Sequence, residues 1–213
     1  MEKAWIQAAV DVDDIDLGIR IARMALEHGA EWVEVGTPLL MRYGFSAIGM
    51  MRKALCKDAV LIADYKFPVS RACAQQAAEQ GANYVLLSTV YHDFIRNDNV
   101  MFSRKYGIEP IFFLACSPYD FEAEAQKLEA CGAAYLFTHR YAEIEVDGQK
   151  QRRDNLALLR GACSCKIGIT SDDLSETVDT VRAGADWLTF GVALKTADAA
   201  ACKTWVDAIH GAR

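Results

Sequence analysis

His28-Gly29-Ala30-Glu31-Trp32-Val33 has three close counterparts further along the chain: Gln80-Gly81-Ala82-Asn83-Tyr84-Val85, Cys131-Gly132-Ala133-Ala134-Tyr135-Leu136 and Ala183-Gly184-Ala185-Asp186-Trp187-Leu188. The glycines stand at 29, 81, 132 and 184, separated by 52, 51 and 52 residues. A repeat of this period marks an architecture built from one recurring supersecondary unit. Each Gly-Ala pair follows a segment of helical periodicity and precedes an apolar run. A glycine just past a helix end supplies the left-handed residue of a C-cap. Each copy therefore reads as a helix-to-strand joint.

Between the joints lie further apolar runs at Ile6 to Val12, Val60 to Asp64, Ile111 to Cys116 and Ile167 to Thr170. Each repeat thus holds two strand–helix units, and four repeats give eight. Strands are expected near 5–11, 32–35, 60–64, 84–88, 110–116, 134–138, 165–169 and 187–190. Helices are expected at about 14–28, 43–56, 69–80, 93–106, 120–131, 154–162, 173–183 and 198–210, with Leu17, Ile21, Met24 and Ala25 as the apolar stripe of the first. Strict alternation of buried strands and helices implies a parallel sheet. Eight units in this length predict one (β/α)₈ barrel domain over residues 1–213. An open doubly wound sheet is the alternative; it fits the fourfold repeat less well, and no glycine fingerprint follows the first strand.

Residues 141–153 break the pattern and read as a long loop. It contains Asp147-Gly148 and ends in Lys150, Arg152 and Arg153, either a solvated face or a lid touching an anion.

The 213 residues are 52% hydrophobic and 24% charged with 4 Pro, as in ordinary globular proteins. A net charge of −6 argues against a nucleic-acid binder. No run reaches the length of a membrane span. Met1-Glu2-Lys3 leads at once into a strand-like segment, so no signal peptide and a cytoplasmic location are expected. The seven cysteines are scattered without metal-ligand spacing and read as reduced thiols, mostly in the core. Trp32, Trp187, Phe112 and Phe113 are likewise assigned to the core.

Chemistry in such a barrel collects at the C-terminal strand ends. Those positions carry Asp11, Glu34 with Gly36-Thr37, Asp64 with Lys66, Ser88-Thr89, Cys116-Ser117, His139-Arg140, Thr170-Ser171 and Gly191. Glu34 lies between Val33 and Val35, where a structural strand prefers an apolar residue. With Asp64 it forms a candidate oxygen site for Mg²⁺, which takes one or two carboxylates plus water and substrate. Asp64 and Lys66 share a strand face, being two residues apart. Lys66 among carboxylates stays charged and suits an enolate oxygen. Asp11 is a candidate to orient Lys66 or bind a substrate hydroxyl, and His139 to move a proton.

Ala9-Val10-Asp11, Glu34-Val35-Gly36-Thr37-Pro38-Leu39-Leu40, Ala63-Asp64-Tyr65-Lys66 and His139-Arg140 together resemble the orotidine 5′-phosphate decarboxylase suprafamily. Within it they resemble most the branch of 3-keto-L-gulonate 6-phosphate decarboxylase and 3-hexulose-6-phosphate synthase. The resemblance spans the whole chain. It implies a homodimeric barrel with sites near the dimer interface, Mg²⁺ at Glu34 and Asp64, and a 1,2-enediolate formed from a keto-sugar phosphate by decarboxylation or used in aldol addition. It further implies that Lys66 stabilises the enediolate, Asp11 binds substrate, and His139 with Arg140 handles proton delivery.

Three positions depart from the family pattern. Val69 stands where the Asp-x-Lys-x-x-Asp motif ends in its second aspartate, with Pro68 before it. Thr170-Ser171 replaces a Gly-Gly pair that approaches the substrate phosphate. Val192, after Gly191, replaces an arginine, although Val192-Ala193-Leu194-Lys195 offers a possible helix N-terminus for an anion. Thr170, Ser171, Gly191 and Val192 thus remain the substrate-binding candidates. Because the metal-and-lysine half of the site is kept while the phosphate grip is altered, two other readings stand. One is a related ligand without phosphate, such as a polyol, and the other is a non-catalytic binding relative.

Overall fold

A computed structural model describes residues 3–66, 70–89, 93–114, 121–146, 149–195 and 198–212. The expectations that fall on Pro68, Val69, Cys116, Ser117 and Asp147-Gly148 lie outside these residues. Along the chain run β1 (Trp5–Val10), α1 (Ile15–Glu27), β2 (Trp32–Val35), α2 (Thr37–Tyr43), α3 (Ser46–Ala54), β3 (Val60–Asp64), α4 (Arg71–Glu79) and β4 (Tyr84–Ser88). Next come α5 (Asp93–Lys105), β5 (Glu109–Phe113), α6 (Phe121–Ala130), β6 (Tyr135–His139), β7 (Tyr141–Val146) and β8 (Gln149–Asp154). The chain finishes with α7 (Asn155–Ala162), β9 (Lys166–Thr170), α8 (Leu174–Arg182), β10 (Trp187–Phe190) and α9 (Ala199–Gly211).

Eight strands close on themselves in the order β1-β10-β9-β6-β5-β4-β3-β2, every neighbouring pair parallel. This is the (β/α)₈ barrel that the repeat predicts. The four repeat glycines take φ of 104°, 93°, 90° and 100°, the left-handed region where a side chain is disfavoured.

The two residues after each Gly-Ala pair explain why the repeat exists. The second is aromatic and opens every other barrel strand: Trp32, Tyr84, Tyr135 and Trp187. Their rings close a circuit across the barrel floor, with centroids 5.0, 5.3, 6.0 and 5.5 Å apart in turn. One side chain per alternate strand is how such barrels fill a layer. Trp5 leans on Trp32 at 5.0 Å. Gly168 faces Trp187 in register, and its missing side chain is where the indole lies.

The first of the two residues satisfies the neighbouring strand. Glu31 accepts the Ile6 N–H (2.8 Å), Asn83 the Leu61 N–H (2.9 Å) and Asp186 the Ile167 N–H (2.7 Å). In the third repeat this residue is Ala134, whose side chain has no acceptor to offer. Register sets it opposite Pro110, which has no N–H to satisfy. Sequence and hydrogen bonding therefore vary together. Asn83→Ala is expected to cost about 1–3 kcal/mol, since Leu61 is fully buried and its N–H loses its side-chain acceptor. Ala134→Asn is expected to gain nothing. Denaturant midpoints of the two variants check both halves.

Two expectations need correction. Residues 141–146 and 149–153 are strand rather than loop: β7 and β8 pair antiparallel from Tyr141 opposite Asp154 to Val146 opposite Gln149. The helix expected at 43–56 is the shorter α3, and α2 precedes it where no helix is expected. Pro38 sits in the first turn of α2, where its missing N–H does no harm, and Gly44 at φ 60° ends that helix before α3. Among the six described cysteines only Cys165 and Cys202 are buried, Cys56 is exposed, and none forms a disulfide.

Candidate active site

β2 and β3 end in acids that an apolar barrel interior does not need. Glu34 is 3% exposed and Asp64 fully buried. Asp11 follows β1, and oxygens of all three carboxylates lie within 4.8 Å of one another. Gly36 makes room for this cluster, because a Cβ there would stand 2.4 Å from Asp11 Oδ1 and 2.5 Å from the Val10 carbonyl oxygen.

Asp64 is held on one side only. Its Oδ2 pairs with the Lys66 ammonium and accepts from the Thr37 hydroxyl at 2.7 Å. Thr37 also lies 3.1 Å from the Asp64 carbonyl oxygen, so the first residue of α2 fixes the end of β3. Asp64 Oδ1 is buried and meets no protein donor. Glu34 accepts a hydrogen bond from the Gln7 side-chain amide.

Charge is in excess here, and the protonation equilibria reflect it. Burial pushes the Glu34 carboxyl well above its usual pKa, and the charges of Asp64 and Asp11 push it further. Burial and Asp64 also raise Asp11. Burial works against the Lys66 charge, but Asp64, with Glu34 and Asp11 behind it, holds the ammonium above its ordinary value. Lys66 has φ 51°, and its N–H donates to the Leu86 carbonyl at 2.8 Å. A left-handed non-glycine residue costs about 1–2 kcal/mol, a strain found where function dictates the backbone.

Mg²⁺ suits this set. The donors are hard oxygens, two of them are buried, and the unpartnered Asp64 Oδ1 is the kind of orphaned acceptor a cation satisfies. Glu34 and Asp64 could hold such an ion, with Asp11 alongside.

His139 ends β6 with its ring edge-on to Phe113, centroids 6.0 Å apart. Burial holds its pKa below the usual value, Asp172 and Glu176 offset part of this, and Lys66 adds to it. The next residue turns the other way, as strand alternation requires. Arg140 donates to Thr180 on α8 at 3.0 Å, lies 3.4 Å from Asp154 Oδ2 and sits 4.9 Å from the Tyr141 ring. It is 9% exposed and faces the helix layer, so the expected His139-Arg140 pair is not brought together at the mouth.

The substrate-binding candidates also divide. Gly191 lies by the acids, its Cβ position 3.6 Å from Asp11 Oδ2. Thr170, half-buried, ends β9. The Ser171 hydroxyl is turned into α8, where it lies 3.2 Å from the Asp173 carbonyl and 3.3 Å from Glu176 Oε1 and accepts from the Asp173 N–H. Its backbone N–H points to the Thr189 carbonyl. Residues Val192–Leu194 form a single 3₁₀ turn, too short for the helix N-terminus expected there. Lys195 is exposed, and its charge reaches Asp11. Sequence reading missed Gln7; the signal was an amide inside the apolar run Trp5–Val10, parallel to Glu34 in its own strand.

In fold the chain resembles a solved orotidine 5′-phosphate decarboxylase of Pyrococcus horikoshii OT3, with a TM-score of 0.75 at 22% identity over 96% of this chain and 98% of that one. It also resembles solved members of the branch named above. A solved 3-hexulose-6-phosphate synthase superposes with a TM-score of 0.79 at 21% identity, covering 98% of this chain and 99% of that one. The 3-keto-L-gulonate-6-phosphate decarboxylase of Vibrio cholerae O1 gives 0.76 at 19% identity over 97% and 98%. In sequence, the bifunctional enzyme Fae/Hps of Methanocella arvoryzae is 26% identical over 200 residues, which is 91% of this chain and 49% of that protein. The chain thus spans about half the length of this relative. No protein-family profile matches it.

Proposed function

We propose that this chain is a Mg²⁺-dependent carbon–carbon lyase acting on a small keto-sugar phosphate through a 1,2-enediolate, as a decarboxylase or an aldolase. The observation that carries this reading is the convergence of Asp11, Glu34, Asp64 and Lys66 at one mouth, with Asp64 Oδ1 buried and unpartnered. Two of the similar structures, whose names specify a phosphorylated ketose and a phosphorylated keto sugar acid, support the substrate class.

In the decarboxylase form, the bond from the carboxylate carbon to its neighbour breaks, CO₂ leaves, and the electron pair moves into the adjacent carbonyl to give the enediolate. In the aldolase form, a C–H bond beside the pentulose carbonyl breaks and its proton passes to a base, giving the enediolate. The enediolate carbon then bonds to the formaldehyde carbon, whose C=O π pair moves to oxygen and takes up a proton. A cation held by Glu34 and Asp64 would offset the carboxylate charge and stabilise negative charge developing on the substrate. Lys66 presents its ammonium to the oxygen on which charge develops. Asp11 accepts from a substrate hydroxyl. His139, held largely neutral at pH 7, relays a proton between the enediolate carbon and water. Arg140 supports His139 from behind by fixing β6 against α8. A homodimer belongs to the same proposal, supported by the exposed Met41 on α2 and Phe94 and Met101 on α5. So does a cytoplasmic location; no described helix is long and apolar enough to cross a membrane.

A second reading is favoured by Ser171. With its hydroxyl and N–H both engaged and Glu176 beside it, the end of β9 offers an anion less than the family pattern implies. The alternative substrate is then a keto acid or polyol without phosphate. Turnover of keto-sugar acid phosphates, and of pentulose phosphate with formaldehyde, tests the first reading. Inorganic phosphate is expected to inhibit competitively at millimolar concentration. Turnover untouched by phosphate or sulfate favours the second reading. No turnover with either class, together with no Mg²⁺ binding, overturns both.

A further inference from the structure

Gln7 lies in β1, points into the barrel and is 1% exposed. Its side chain bridges the floor of the barrel and the acids above. On one side, its Oε1 accepts the Trp187 indole N–H at 3.0 Å. On the other, its Nε2 donates to Glu34 Oε2. An amide can usually be turned over, exchanging donor for acceptor. Here it cannot, because an indole nitrogen only donates. Turning the amide over would set N–H against N–H at Trp187 and a carbonyl against a carboxylate at Glu34.

Trp187 is itself immobilised. It is fully buried, stacks on Phe137 at 6.3 Å with planes 10° apart, and occupies the space left by Gly168. The order of the floor therefore passes through one amide to one oxygen of Glu34. We infer that Trp187 and Gln7 form a positioning relay that fixes the orientation of Glu34 as a cation ligand. This rests on the reading that Glu34 and Asp64 hold Mg²⁺. Neither Trp187 nor Gln7 touches substrate; both act through Glu34. Groups that orient a metal ligand typically contribute ten- to a hundredfold in affinity.

The test measures Mg²⁺ binding by calorimetry in the full chain without substrate. Trp187→Phe keeps an aromatic ring but removes the N–H, and Gln7→Leu removes both hydrogen bonds. Each is expected to weaken Mg²⁺ at least about tenfold. Phe112→Leu, which removes a fully buried ring from the other hydrophobic cluster and leaves the floor circuit intact, is the control and is expected to leave Mg²⁺ affinity within about twofold. Equal weakening in the control, or unchanged affinity in Trp187→Phe and Gln7→Leu, overturns the relay.

A second measurement needs no substitution. The Trp187 indole N–H resonance in the ¹⁵N-labelled native chain is expected to shift as Mg²⁺ is added, and a silent resonance with Mg²⁺ bound overturns the relay. If the native chain binds no Mg²⁺, the cation reading itself falls and takes the relay with it. That result is distinct from a native chain that binds Mg²⁺ and variants that bind it equally well.

Discussion

Lys66→Ala is expected to lower kcat by about 10²–10³-fold or more while leaving the barrel folded. The Lys66 side chain is 44% exposed, so its loss opens no cavity in the core. What it removes is the one ammonium paired with Asp64 beside the three acids. The oxygen of the developing enediolate then loses its cationic neighbour. Mg²⁺ binding should move the other way. With a competing positive charge gone, the carboxylates attract a divalent ion at least as strongly as before. Falling turnover with undiminished Mg²⁺ affinity, read by steady-state kinetics and calorimetry beside an unchanged circular dichroism spectrum, is the pattern expected. Undiminished turnover on a keto-sugar acid phosphate would sink the role given to Lys66.

Gly168→Ala is expected to damage stability rather than chemistry. An added Cβ would lie 1.9, 2.2 and 2.3 Å from three atoms of the Trp187 indole. The ring has no room to retreat: Trp32 is at 5.5 Å, Tyr135 at 6.0 Å and Phe137 stacks on its face. Overpacking of this kind costs about 1–3 kcal/mol or more. Urea unfolding measures it, and adding Trp187→Leu should restore part of the loss, since the two residues compete for one volume. A wild-type midpoint in the single variant would refute the packing account.

Much of the fold was legible because glycine C-caps and buried strands leave marks that do not depend on distant partners. The joints at Gly29, Gly81, Gly132 and Gly184 are local features, and each helix-to-strand boundary falls where they put it. The hairpin of β7 and β8 was illegible for the opposite reason. Its strand Gln149–Asp154 has no apolar face, being exposed or half-buried throughout. Arg152, lying 3.5 Å over the Tyr141 ring, contributes a contact that periodicity does not reveal.

At the mouth, strand ends identified Asp11, Glu34, Asp64 and Lys66, because charged residues stand out where buried apolar runs stop. Lys66 lies beyond β3 and meets Asp64 through its left-handed backbone rather than through a shared strand face. Arg140 illustrates the limit. Adjacent to His139 in sequence, it belongs to the opposite face, and strand alternation separates the pair. Ser171 illustrates another. Whether a hydroxyl serves a ligand or the first turn of a helix depends on Asp173 and Glu176, two and five residues on. The roles of Glu31, Asn83 and Asp186 needed the register of the paired strand, as did the exemption of Ala134 by Pro110.

The aromatic floor also makes the protein report on itself. Three of its four tryptophans sit in or against one circuit of rings, Trp5 and Trp187 lying 5.0 and 5.5 Å from Trp32, while the fourth, Trp205, stacks on Phe190 at 5.3 Å. Chromophores held this close in a chiral arrangement couple their excited states. The near-ultraviolet circular dichroism should therefore carry a strong signal from closure of the barrel as a whole. That signal should vanish when the first and last strands part, even if every helix remains, giving an optical gauge of ring closure in the unmodified chain.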